Sequence, residues 1–82
     1  MRTKINFQAV ALSIKETEGS EGRKFYQVSI DQDGEAGTLP LTEEAYHVIS
    51  GSFKKYSPSV FTGEYNDQYK SLRITGIQQG RI

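Results

Sequence analysis

The chain predicts an all-β protein with one short helix, its five strands closing into a small barrel and the helix lying between strands 3 and 4. Three observations carry this prediction. Apolar and polar residues alternate with period 2 in short runs separated by turn residues. One apolar stripe with i, i+3, i+4 spacing stands in mid-chain. Finally, 82 residues without cysteine make a single domain, near the lower end of what one hydrophobic core supports without staples.

The first strand is predicted over residues 3–15, with Ile5, Phe7 and Ala9 on one parity and Val10, Leu12 and Ile14 on the other. A one-residue slip of this kind marks a β-bulge, expected near Ala9 and Val10, and bulges bend the strand that carries them. A long bent first strand suits a closed barrel better than a flat sheet. Glu16-Thr-Glu-Gly-Ser-Glu-Gly22 is a turn. Over residues 23–31, Tyr26, Val28 and Ile30 share the core parity, which leaves Arg23 and Phe25 on the polar face. Asp31-Gln-Asp-Gly34 is a second turn, followed by a short strand through Thr38 and Leu39.

Thr42 is a helix N-cap, with Glu43 and Glu44 favourable in the first turn. Ala45, Val48 and Ile49 form the apolar stripe, and Gly51 is a natural stop. Residues 52–58 make a flexible loop carrying Phe53, Lys54, Lys55 and Tyr56. Strands follow over 59–65 and 69–78, with a bend at Gly76 and a frayed tail over 78–82. Leu72 and Ile74 face the core in the last strand, whereas Tyr69, Ser71, Arg73 and Thr75 face out. In the fourth strand Val60 and Thr62 compete with Phe61 and Tyr65 for the interior. This element order matches the OB fold; an SH3-like barrel or a small α+β roll shares much of the pattern.

Composition narrows the function. Ten Lys and Arg balance ten Asp and Glu, which counts against an indiscriminate polyanion binder. The charge is segregated, however. Residues 1–15 carry three cations and no acid, residues 16–44 eight acids against two cations, and residues 45–82 five cations against two acids. If the two terminal segments meet in space, one face becomes basic. Without cysteine, a recognisable secretory leader or an apolar run long enough to cross a bilayer, a cytoplasmic protein that makes no membrane contact is expected.

Little in the chain suggests catalysis. His47 is the one histidine, and a helix-surface histidine four residues after a glutamate is far more common than a general base or metal ligand. No nucleophilic triad, P-loop or dinucleotide-type glycine motif occurs. Asp31, Asp33 and Glu35 lack the glycine and the twelfth-position acid of a calcium loop. A non-enzymatic protein needing no cofactor is expected.

Binding is better supported. Residues 53–73 interleave five of the nine aromatics with Lys54, Lys55, Lys70 and Arg73. Single-stranded nucleic acid is gripped by this mixture, since aromatic faces stack on any base while cations neutralise phosphates. Arg23-Lys24-Phe25-Tyr26 is a second such place. Phe25 and Arg23 share the outward parity of Tyr69 and Arg73, so the two strands together would build a stacking platform if they share a face. Exposed β-sheet aromatics also support sheets through cross-strand pairs, and loop lysines also solubilise.

The segment Glu18-Gly-Ser-Glu-Gly-Arg-Lys-Phe-Tyr26 is similar to the glycine, basic, aromatic lead-in to the second strand of the gene-five-type single-stranded-DNA-binding proteins of filamentous phages. Phe61-Thr-Gly-Glu-Tyr65 followed by Ser71-Leu-Arg-Ile74 resembles that family's Gly-x-Tyr hairpin and Ser-Leu-x-Ile last strand. Chain length and a Lys-Ile-x-Phe opening strand agree, and related small binders occur on phages and conjugative elements. The resemblance implies an OB-type barrel, a homodimer, and cooperative, sequence-tolerant coating of single strands during phage or mobile-element DNA replication. By position it places DNA contacts at Arg23, Phe25 and Tyr26 and around Tyr65 and Tyr69. One departure matters: the family's first hairpin is basic, whereas this one holds Glu16, Glu18 and Glu21. That shifts the expected contacts to the sheet surface and the Phe53, Lys54, Lys55, Tyr56 loop. Single-stranded DNA is thus the expected partner, with RNA possible. The alternative is a small protein-interaction module or regulator using the same aromatic face.

Overall fold

The computed structural model describes residues 2–79 as five strands and two short helical segments. In chain order these are β1 (Arg2–Glu18), a single 3-10 turn (Ser20–Gly22), β2 (Lys24–Gln32), β3 (Glu35–Leu41), α1 (Glu43–Ser50), β4 (Ser57–Asn66) and β5 (Ser71–Gln79). The strands close into a barrel of order β1-β2-β3-β5-β4, with β4 returning to β1. This is the five-stranded OB-like barrel that the element order predicts, with the helix between β3 and β4.

The long first strand makes closure possible. Its N-terminal part pairs with β4 from Arg2↔Asn66 to Ala11↔Ser57, and its C-terminal part pairs with β2 from Val10↔Asp31 to Glu18↔Lys24. Val10 and Ala11 are paired on both sides, so the strand passes from one partner to the other there. The register with β2 slips between Ala11 and Ser13, two residues beyond the expected bulge at Ala9 and Val10. Ala11 is fully buried, and Ile14 resumes the contact with the core after the slip. Val10 and Leu12 do not join the core cluster.

Tight turns fix the rest of the register. Asp33 and Gly34 both have positive φ (55° and 86°), as a two-residue type I′ hairpin requires, and Gln32 pairs with Glu35 across them. Thr42 caps α1 through its Oγ1, which accepts the Ala45 N–H at 3.2 Å. Ala45 and Ile49 are buried under this helix, but Val48 is 80% exposed. The apolar stripe is therefore narrower than the spacing implied, and Val48 stands at its solvent margin.

Phe61 settles the phase of β4. It is fully buried, its ring stacked on Phe7 at 5.3 Å, and Ser59 and Gly63 share its inward parity. A second register slip, between Thr62 and Gly63, leaves Thr75 unpaired beside Gly76; this is the bend expected at Gly76. Ile74 is fully buried before the slip, and Ile77 packs on the core after it. Gln78 and Gln79 pair with Val60 and Ser59. The frayed tail expected over 78–82 thus does not include Gln78 and Gln79, and residues 80–82 lie outside the described residues.

The two ends of the barrel differ. Towards Tyr26, Leu41 and Ile74, helix α1 covers the core, with the Tyr46 ring packed at a tilt against Tyr26 at 4.6 Å. There β3 meets β5 through one parallel bridge, Leu41↔Ile74. At the other end Glu35 to Leu39 are not bridged to β5, and a cleft of about 470 Å³ opens on Ile5, Phe7, Ile30, Leu39 and Leu72. Among the described residues no helix is long and apolar enough to cross a membrane.

Candidate nucleic-acid interface

Strand alternation and register assemble a basic patch from residues distant in sequence. Phe7, Phe61 and Ile74 point inward, so Lys4, Glu64 and Arg73 point outward on β1, β4 and β5. Lys4 lies directly across from Glu64, and Glu64 directly across from Arg73; cross-strand neighbours on one face sit within side-chain contact. Arg73 Nη2 donates to Glu64 Oε1 at 3.1 Å, and Arg2 Nη1 lies 4.0 Å from the same oxygen. The cluster continues into neutral polar groups, with Thr62 Oγ1 donating to Asn6 Oδ1 at 2.9 Å. Two arginines from two strands therefore meet one carboxylate, and Lys4 stands across the strand pair from it.

The adjoining β4–β5 turn supplies the aromatic. Asn66 Oδ1 accepts the backbone N–H groups of Gln68 (3.0 Å) and Tyr69 (3.3 Å), an Asx-type closure that holds the turn. Lys70, at φ 51°, completes the reversal. Tyr69 is left 71% exposed at the tip. Counting Lys70 and Asp67, this end of the sheet holds four cations against two acids.

The β1–β2 hairpin is a separate place. Phe25 is 51% exposed and pairs across with Thr17. A Cβ on Gly19 would come within 2.6 Å of Phe25 Cε2. The glycine is thus the floor against which the ring rests, and half of the ring faces solvent. Charge here is balanced: Lys24 pairs with Glu16 at 3.9 Å, and Glu18 and Glu21 stand on the same hairpin as Arg23 and Lys15.

These two places do not form one platform. β3 separates β2 from β5 around the barrel. Phe25 sits beside Thr17, whereas the Tyr69 turn adjoins Arg2 at the opposite end of β1. Equal parity put Arg23, Phe25, Tyr69 and Arg73 on one expected face, but β5 begins at Ser71, two residues after the expected start, so Tyr69 stands in the turn. Parity also carries no information on which strands are neighbours.

Tyr26 does not share the exposure of its neighbours. It is 7% exposed, its ring covered by Tyr46, so no base can stack on it. Burial, followed by the nearby Glu43 and Glu16 carboxylates, pushes its phenol above the ordinary value. Phe53 packs against the core, and Tyr65 is half-buried on the inward parity of Phe61. Lys54 and Lys55 are exposed, as is Tyr56 at 74%.

The loop that carries them is pinned rather than free. Gln79 Oε1 accepts the Lys54 N–H and Gln79 Nε2 donates to the Lys54 carbonyl, each at 2.9 Å. The Tyr56 N–H donates to the Ala11 carbonyl at 2.7 Å. His47 Nε2 lies 3.5 Å from Glu43 Oε2 on the exposed face of α1, and among the described residues no group of three or more His, Cys, Asp or Glu converges as a metal site.

Arg2 and Lys4 were not among the residues singled out by sequence. Their one signal was the cationic excess of residues 1–15 together with that of residues 45–82. Comparison with known proteins finds no family model that matches this chain and no match among curated proteins.

Proposed function

We propose that the protein binds single-stranded nucleic acid, with DNA as the leading ligand, through the outer face of β1, β4 and β5. The observation that carries this reading is the convergence of Arg2, Lys4 and Arg73 beside the exposed Tyr69. The cations supply phosphate contacts without sequence preference. Tyr69 supplies a stacking face, where each base stacked contributes on the order of 1 to 3 kcal/mol. Phe25 on its Gly19 floor and Lys54, Lys55 and Tyr56 on their pinned loop are secondary contacts that a longer strand would reach. A small OB-like barrel with such a face suits sequence-tolerant coating of single strands in the cytoplasm, as a homodimer, in the replication of a phage or mobile element.

Fluorescence anisotropy of labelled oligo-dT and oligo-rU at low and moderate salt tests the proposal. Affinity should fall as salt rises, with a slope of about −0.7 per neutralised phosphate. Failure to bind either oligomer at low salt refutes it.

A second reading, a protein-interaction module, is favoured by a different observation. The unbridged edge of β3 runs along the cleft lined by Ile5, Phe7, Leu39 and Leu72, and such an edge suits an added peptide strand. A complex with a protein partner that is insensitive to salt and lost on Leu39→Asp would favour that reading.

A further inference from the structure

We infer that Glu64 is an internal substitute for a nucleic-acid phosphate, and that the recess between Arg2 and Arg73 is the seat of one phosphodiester. The inference rests on the nucleic-acid reading and identifies the ligand group for its central residues.

The recess measures about 90 Å³ and is lined by Arg2, Glu64, Asn66, Ser71 and Arg73. It has room for one small anion. Both guanidinium groups address the same oxygen, Glu64 Oε1, at 3.1 Å and 4.0 Å. A carboxylate oxygen that accepts a hydrogen bond from Arg73 and is ion-paired with Arg2 occupies the position that a phosphate oxygen would take, because a guanidinium donates to either anion. Ser71 and Asn66 complete the lining as neutral residues. Lys4, across the strand pair from Glu64, adds a third positive charge. With Glu64 in place the three cations are one-third neutralised.

Surface ion pairs hold Glu64, whose side chain is 29% exposed. Both arginines are well exposed, and exposed ion pairs of this kind hold weakly because water and salt compete for each partner. A phosphodiester arriving with its own backbone charge exchanges for the carboxylate, and Arg2 and Arg73 keep their positions. Glu64 therefore preorganises the two guanidinium groups in the free protein and competes with the ligand during binding.

The test compares Glu64→Gln with Glu16→Gln, which removes an equally negative charge from the distant β1–β2 hairpin, by oligo-dT titration at about 0.1 M salt, where screening is strong beyond roughly 10 Å. Glu64→Thr repeats the test with a strand-favouring residue, and circular dichroism confirms folding of each variant. The expected result is that Glu64→Gln binds at least about fivefold more tightly than the unmodified protein, as loss of a unit charge at contact distance implies. Glu16→Gln should change affinity less than about twofold, and Arg73→Gln should erase the gain from Glu64→Gln. If the unmodified protein binds but Glu64→Gln and Glu64→Thr bind no better, or Glu16→Gln gives the same gain, the seat is refuted while the nucleic-acid reading stands. If neither the unmodified protein nor Glu64→Gln binds oligo-dT or oligo-rU at low salt, both fall.

Discussion

Replacing Arg73 with glutamine removes one of the three cations around Glu64 and leaves the strand intact. Arg73 is exposed, and its pair with Glu64 at 3.1 Å is of the surface type, so stability should change by no more than about 1 kcal/mol. Binding should respond more clearly. Two phosphate contacts, one in the Arg2–Arg73 seat and one at Lys4, give a slope of log affinity against log salt of about −1.4, and Lys4 alone, once the seat is broken, gives about −0.7. Between 50 and 200 mM salt the first corresponds to a loss of about 7-fold and the second to about 2.6-fold. Other contacts add equally to both proteins, so the difference in slope stays near 0.7. Anisotropy titrations of oligo-dT at four salt concentrations measure it, and a thermal melt controls for folding. Parallel lines for the two proteins would refute the placement of Arg73 against a phosphate.

Further substitutions separate surface from core. Tyr69→Ala should weaken binding by an amount equivalent to about 1 to 3 kcal/mol with an unchanged melting temperature, whereas Phe53→Ala should lower the melting temperature because that ring packs on the core. Phe61→Ala should cost about 3 to 5 kcal/mol in denaturant unfolding, since the ring is fully buried against Phe7; a cost below about 1 kcal/mol would place the ring outside the core. Tyr26 gives a pH dependence. Its phenol is raised in the folded protein, so the stabilisation is fully present below the unfolded value of about 10 and is lost as pH rises through the folded value. Melting temperatures measured from about pH 8 to above pH 10 should fall more steeply for the unmodified protein than for Tyr26→Phe, and equal slopes would contradict the assignment.

Much of the barrel was legible because alternation and turn chemistry are local. Tyr26, Val28 and Ile30 lie in the core as their parity requires; the Asp33-Gly34 turn and the Thr42 cap need only neighbouring residues. The bulge was misplaced for a physical reason. At the point where β1 is paired on both sides, the interior faces Ala11 and not a larger side chain, so Val10 and Leu12 dominated the hydrophobic pattern from the outer face. Val48 misled similarly, since helical spacing does not say how wide a face the barrel covers. The basic patch was only half visible. Lys4 meets the Glu64–Arg73 hairpin pair through register between strands some sixty residues apart in sequence, and no local pattern encodes that. Conversely, the shared parity of Phe25 and Tyr69 suggested a common platform which the strand order divides.

Amide chemical-shift mapping of the ¹⁵N-labelled protein during titration with oligo-dT tests the central claim most directly. The account predicts the largest shifts at Arg2, Lys4 and Asn6 on β1 and from Glu64 through Arg73, with smaller changes around Phe25 and Lys54. Shifts concentrated at Phe25 and the β1–β2 hairpin, or along the β3 edge of the cleft, with the Arg2, Glu64 and Arg73 region unmoved, would contradict it.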